Sequence, residues 1–458
     1  MIYRLTLRAV GPFLALVLAP SIAVGQSPDS ANSAHPADEL IKVARGHEKA
    51  FRWEEAIQAW FGVLNVDRSN VEAREAIPRD VRHALQAHRH RDPSFLDRIL
   101  AMSQPDVLAL YAEVLVKLQT QYVDADKATT GRLFRQGLDE FLSALADPHF
   151  LDRHLKGADE VSVAKFRADI QKAWAGREVA STAEAVKVVH AIGAAAKKLL
   201  GMRTINPVVC EFVCGACNSL DEYSAYLSAS QYLAEGMGSP QLSVRTRVEG
   251  GGVAYMQITH FQPSTAQEVE AELKNLAMMG TVRALVLDLR GNSGGLFTAA
   301  VKTAERFLPG GIIVTAQGQT DESNKVYTSA GGNTATDLPM VVLVDGDTAS
   351  AAEVLAVALR DNRRARLIGT ATFGKGTVQK VISFTTAEEM DPDGKPRPRA
   401  AVRITLARLI APSGNPITGV GVTPDQLIPD RERQTEAAME QARELARRYM
   451  SMMPMMRQ

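Results

Sequence analysis

The chain predicts a two-part protein: an all-α amino-terminal region followed by an α/β unit with a partly parallel sheet. Three observations carry this. Through about residue 234 apolar residues recur at helical spacing, as in Phe51, Ala56, Ile57, Trp60 and Val63. Near Gly236 that period gives way to short apolar runs at 253–258, 284–289 and 340–344. Helical patterns lie between those runs, and strand alternating with helix argues a sheet covered by helices.

A length of 458 residues allows two or three domains, and 46% hydrophobic residues allow a sizeable core. Lys+Arg and Asp+Glu number 52 each, so the zero net charge gives no case for nucleic acid or anionic membrane as a partner. Residues 1–25 read as a secretory signal peptide. Arg4 and Arg8 precede the apolar run 9–19, and Ala23 and Gly25 sit at −3 and −1 of a cut before Gln26. An uncleaved anchor is the alternative, although the run is short for a bilayer, which needs about 20 residues. Residues 26–37 are small and polar, as in a flexible linker.

The helical region spans 38–237. A tetratricopeptide-like pair is outlined near 44–77, with a turn at Asp67–Asn70, but plain helical packing is the stronger reading of one such pair. Further helices are expected at 107–121, 130–146, 161–175, 183–200, over the cysteines and at 220–234. Cys210, Cys214 and Cys217 have a spacing open to a metal or iron–sulfur site. The same i, i+4, i+7 spacing marks one helix face, and thiols pack as small hydrophobes. Core packing is therefore favoured over a disulfide, and a disulfide over a cluster. His83, His88, His90 and His149 have no metal spacing and are expected to be exposed or capping. Two stretches, 137–151 and 215–227, are faintly alike, as a duplicated helical unit would be.

In the second half strands are expected at 253–258, 284–289, 340–344, 365–368, 377–384 and 401–409. Helices are expected at 265–278, 297–308 and 351–360, giving a domain over 238–430. Residues 431–458 form a charged helix and a Met-rich tail.

Three segments carry chemistry. Ser350 follows a strand and opens a helix, where free backbone N–H groups favour developing negative charge, as an acyl-transfer nucleophile requires. Alone, Ser350-Ala-Ala-Glu353 reads better as a capping box. The second segment, Thr372-Phe-Gly-Lys375-Gly-Thr-Val-Gln379, shifts that balance. It sets a lysine between glycines with a glutamine on the same strand face, four residues on. A lysine acts as base when desolvation lowers its pKa. The third, Asp288-Leu-Arg-Gly-Asn-Ser-Gly294-Gly295, lacks the dinucleotide spacing but can present backbone N–H groups as one side of an oxyanion hole.

Together and in this order, DLRGNSGG, TASAAEV and FGKGTVQ resemble the hallmarks of the carboxyl-terminal processing (tail-specific) serine peptidases. The likeness extends over about 253–429, with Ser219–Leu227 as a helical echo before it. It implies a peptidase core of crotonase/Clp-protease-like ββα units, with Ser350 as nucleophile, Lys375 as general base and Gln379 orienting the lysine. It also implies Gly294, Gly295 and Ala351 as the oxyanion hole, peptide hydrolysis through an acyl-enzyme, polypeptide substrates, and neither metal nor organic cofactor. One departure stands out. About 25 residues separate Leu227 from Val253, where the family usually carries a PDZ domain, and that is too few for a domain. The amino-terminal helices are then candidates for gating, adaptor binding or self-association. The alternative function is a catalytically silent relative acting as a ligand- or protein-binding module.

Overall fold

The computed structural model describes residues 36–235, 241–390 and 393–452. The expected signal, nearly all of the linker and the end of the Met-rich tail lie outside these residues. The described residues form two compact units, one of 36–235 with 380–404, the other of 241–379 with 405–452. Among them no helix is long and apolar enough to cross a membrane.

The first unit is helical: α1 (Pro36–Lys49), α2 (Trp53–Val66), α3 (Val71–Arg89), α4 (Pro93–Arg98), α5 (Gln104–Gln121), α6 (Thr130–Ala144), α7 (Pro148–His154), α8 (Glu160–Trp174), α9 (Thr182–Leu200) and α10 (Asn206–Asn218). Strand β1 (Ala225–Ser228) and helix α11 (Ala229–Glu235) follow. Ser103, Thr129, Asp159 and Ser181 each accept a first-turn N–H, which fixes where α5, α6, α8 and α9 begin. The outlined pair at 44–77 is in fact parts of three helices. The chain breaks at Phe51, whose φ of 54° no helix interior accommodates.

Helices α6 and α10 cross at two glycines. A Cβ on Gly137 would lie 2.7 Å from Phe212 Cα, and one on Gly215 would lie 2.6 Å from the Gln136 carbonyl oxygen. The two look-alike stretches thus meet at their first residues and then diverge, one into helix α7 and the other into strand β1. The helix expected at 220–234 is corrected accordingly. Asp221 accepts the Tyr223 and Ser224 N–H groups and turns the chain, and the buried Ala225–Ser228 pairs antiparallel with Ala400–Arg403. All three thiols of α10 are free and buried, and burial pushes each up, so they are packing groups, as favoured above. Of the four histidines, His90 caps the end of α3 but is buried, and His83 is half-buried on that helix. His90 is 3% exposed with Nε2 2.8 Å from Glu211 Oε1, and His83 stacks on Trp53 at 4.2 Å.

The second unit contributes β2 (Val244–Glu249), β3 (Val253–Ile258), α12 (Thr265–Met279), β4 (Ala284–Asp288), α13 (Phe297–Phe307), β5 (Gly311–Gly318), β6 (Lys325–Ser329), β7 (Met340–Val344), α14 (Ala351–Asp361), β8 (Ala365–Gly369) and β9 (Thr377–Ser383). After the short strands β10 (Glu388–Met390) and β11 (Pro396–Pro398) come β12 (Ala400–Ile410), β13 (Gln426–Leu427) and α15 (Arg431–Met452). The main sheet has the order β13-β8-β7-β4-β3-β2, parallel except for the antiparallel edge strand β2. Alternate residues serve opposite faces. Ala254, Met256, Leu285, Leu287 and Val342 pack with α12, α13 and α14. Val253, Tyr255, Val286, Val341 and Leu343 pack against Ala438, Met439, Ala442 and Ala446 of α15. An all-helical amino-terminal region followed in the chain by an α/β core is therefore observed, as expected. The linear division is not. Residues 380–404 cluster with the helices, and α15 is the second cover of the sheet rather than an appendage.

The return of 380–404 has local causes. Glu113 of α5 accepts the N–H and the hydroxyl of both Thr385 and Thr386, all at 2.6–2.9 Å. Lys117 donates to the Ser383 carbonyl at 2.9 Å, and Arg98 pairs with Glu389 at 2.6 Å.

Candidate active site

The glycine turn after Asp288 and the turn that holds Ser350 leave the carboxyl ends of neighbouring parallel strands, β4 and β7, the end of an open α/β sheet where ligands bind. The first turn is anchored from below. Buried Asp288 accepts Arg290 N–H and Nε, both at 2.9 Å, while Arg290 reaches the Arg431 carbonyl and Gln434 on α15. Asn292, fully buried, donates Nδ2 to the Ile258 carbonyl and accepts the Gly294 N–H at 2.8 Å, and its own carbonyl takes the Ala349 N–H at 2.9 Å. That last bond draws the serine turn onto the glycine turn. Glycine is required at the contact: a Cβ on Gly294 would lie 2.8 Å from Ser350 Cβ and 3.1 Å from Ala351 N, and its φ is +105°.

Ser350 is half-buried at the start of α14 with φ 55° and ψ −118°. A non-glycine residue there stores about 1–3 kcal/mol and needs its surroundings to hold it. Glu353 is the main clamp. Its Oε2 accepts the Ser350 N–H at 2.7 Å and the Lys375 N–H at 2.9 Å. Its Oε1 accepts the Gly374 N–H at 2.7 Å and the Thr372 hydroxyl at 2.5 Å. Glu353 is 0% exposed. Burial pushes its carboxyl above the usual range, while the bonds from Thr372, Gly374, Ser350 and Lys375 oppose that shift. One buried carboxylate thus ties the backbone of the serine turn to that of the lysine segment. The capping box named this residue but not its partners at 372–375, which no local spacing reveals.

The glycines beside Lys375 admit a neighbouring loop. A Cβ on Gly376 would lie 2.3 Å from Thr418 N, and one on Gly374 3.0 Å from Gly421 N. Thr418 donates its hydroxyl to the Gly376 carbonyl at 2.6 Å, and Val422 N–H reaches Thr372 Oγ1 at 2.7 Å. Gln379 gives its amide nitrogen to Thr377 and Thr405 at 2.8 and 3.2 Å, contacts the sequence did not foresee. Among the named oxyanion glycines, Gly294 already donates its N–H to Asn292, so its part is close approach to Ser350.

Residues 252–428 match the model of Peptidase family S41. A carboxy-terminal-processing protease of Bartonella bacilliformis is 35% identical over 189 residues, 41% of each chain. A carboxyl-terminal-processing protease of Synechocystis sp. is 38% identical over 179 residues, 39% of this chain and 38% of that one. The alignments therefore span about two fifths of the length of these relatives. Among solved structures, a photosystem II D1 C-terminal processing protease superposes with a TM-score of 0.44 at 19% identity, covering 71% of this chain and 94% of that one. The matched segment holds both motif turns, the lysine segment and five of the six strands of the main sheet, so residues 252–428 are a peptidase S41 domain.

Proposed function

We propose that this protein is an exported serine endopeptidase that cleaves polypeptides through an acyl-enzyme on Ser350, with Lys375 as general base. The observation that carries the reading is the shared Glu353 carboxylate, which fixes the backbones of Ser350 and Lys375 to one another in a domain of a peptidase family. In this reading the neutral Lys375 amine takes the Ser350 hydroxyl proton as Oγ attacks the peptide carbonyl carbon. The resulting oxyanion accepts from the Ala351 N–H, at the positive end of α14, and from the Gly295 N–H. Lys375, now an ammonium, passes its proton to the departing amine. Water then gives a proton to Lys375 as its oxygen attacks the acyl carbon, and Lys375 returns that proton to Ser350 Oγ as the acid product leaves. Gln379, whose amide nitrogen is held by Thr377 and Thr405, keeps its oxygen for the lysine amine.

Cleavage of casein by the wild type, Ser350→Ala and Lys375→Ala tests this. Loss of the base is expected to lower kcat/KM by about 10²–10⁴-fold, and loss of the nucleophile by at least as much. Equal cleavage by all three would sink the assignment to Ser350 and Lys375, and none by any would return the chain to the silent binding alternative. Export rests on the sequence of residues 1–25, and recovery of chains starting at Gln26 outside the cytoplasm tests it separately.

A further inference from the structure

We propose that the edge strand β2 is an association surface for a second copy of this chain: two β2 strands pair antiparallel across a two-fold axis at Arg247 and join two main sheets into one. Strand β2 has β3 on one side, and among the described residues no strand pairs with its other side. The ladder fixes which backbone groups are left over. The Thr259 N–H donates to the Ser243 carbonyl at 2.9 Å, so odd-numbered residues of β2 turn their backbone groups toward β3. The Val244 N–H turns the other way and donates to Glu268 Oε2 at 3.1 Å. Thr246 and Val248 therefore present N–H and C=O groups outward, the template that a sheet edge offers to another strand.

The side chains of this edge complement themselves. Only registers that set even-numbered residues opposite one another use the outward groups. Centred on Thr246, the pairing sets Arg245 opposite the partner's Arg247 twice. Centred on Val248, it runs into the turn at 250–252. Centred on Arg247, it sets exposed Arg245 opposite the partner's Glu249, and Glu249 opposite the partner's Arg245, at the close, non-hydrogen-bonded positions. The two Arg247 side chains that meet at the axis are drawn away from it. Each donates Nε to Glu249 Oε1 of its own chain at 2.6 Å, and its guanidinium carbon lies 3.8 Å from the centre of the Tyr255 ring on β3. On the other face Thr246 meets the partner's Val248, beside a cavity of about 480 Å³ that Leu276, Met278 and Met279 of α12 help to line. Val248, Met278 and Met279 are 46%, 79% and 56% exposed, and the axis brings the partner's copies of them to the same place. Charges on an edge strand ordinarily oppose pairing, whereas here Arg245 and Glu249 answer one another. The proposal does not depend on the peptidase reading.

Equilibrium sedimentation of the full chain tests it. An interface this small is expected to give a monomer–dimer equilibrium with a Kd of about 1–100 µM. Arg245→Glu sets like charges opposite one another at both pairs and is expected to weaken the dimer about ten-fold or more, and Glu249→Arg is expected to do the same. Mixed in equal amounts, these two variants face each other with opposite charges at both pairs, and a heterodimer about as tight as the wild-type dimer is expected. Only a second copy gives that recovery, because a foreign extended polypeptide on the same edge leaves the variants alike, mixed or apart. Val248→Pro removes an outward N–H that the sheet does not use, and it is expected to abolish the dimer at an unchanged urea midpoint. Three outcomes overturn the proposal: a monomer at every concentration up to about 200 µM, a dimer that Arg245→Glu or Val248→Pro leaves unchanged, or a mixture that associates no more tightly than either variant alone.

Discussion

Glu353 shows how one side chain can look ordinary in the sequence and central in the fold. Three residues after Ser350 it completes a capping box, but three of its four bonds go to residues 372–375. Ser350, Lys375 and Gln379 could be nominated from the sequence because acyl-transfer chemistry calls for those residue types, and their roles belong to the proposed reaction. The clamp could not be, because its partners are 19 to 22 positions away and are brought in by the fold. Glu353→Ala strands three backbone N–H groups and a hydroxyl in a buried place, so urea denaturation is expected to show a loss of roughly 3–5 kcal/mol. A loss below about 1 kcal/mol would mean that water replaces the carboxylate. Gly294→Ala tests the contact between the turns. Its Cβ would meet Ser350 and the Ala349 carbonyl at 2.8 and 2.9 Å, in a backbone conformation L residues rarely adopt. In the proposed reaction a fall in kcat of about 10²-fold is expected, because a displacement of about 1 Å at the nucleophile costs that much; wild-type kcat would show that this contact does not position Ser350.

Between elements, the contacts of α5 with residues 383–386 decide where the 380–404 excursion docks. Burial alone would raise the Glu113 carboxyl, but the bonds from Thr386 and Thr385, aided by Lys117, bring it down to about 2 from an ordinary 4.5. A carboxylate held lower in the folded state stabilises fully above pH 4.5, and that stabilisation is lost as pH falls through about 2. Glu113→Gln is therefore expected to speed hydrogen exchange of residues 383–387 at neutral pH and to remove their acid-dependent loosening between those limits. Exchange identical to wild type would show that other contacts hold the excursion. The α6–α10 crossing makes a second prediction at this scale. Gly215→Ala places a methyl 2.6 Å from a backbone oxygen, and a loss of about 1–3 kcal/mol is expected by thermal or urea unfolding. The helices and the parallel strands were legible from helical spacing and continuous apolar runs. Strand β1 was not, because four buried residues after a helix carry no period of their own, and what makes them a strand is a partner at 400–403. Edge strand β2 and the β5–β6 hairpin went unread because their mixed exposure gives neither a clean alternation nor an apolar run.

At the scale of the molecule, neither compact unit is one continuous stretch of chain. The two-part architecture was legible from the change of period near Gly236. The return of 380–404 was not, because it depends on side chains of α4 and α5 almost 300 positions earlier. A chain ending at residue 236 lacks that return, and it is expected to unfold with a shallower denaturant slope than the full protein. Addition of residues 380–404 as a peptide should restore protection of β1 amides; an identical slope without it would make the excursion dispensable. The same arrangement governs the order of synthesis. When Ser228 leaves the ribosome, the strand that pairs with β1 is still about 175 residues from being made. At about 5–20 residues per second that is a wait of roughly 10–35 s. During that interval the amino-terminal half has a buried strand with no neighbour, so the nascent chain stays incompletely folded until its second half is almost finished.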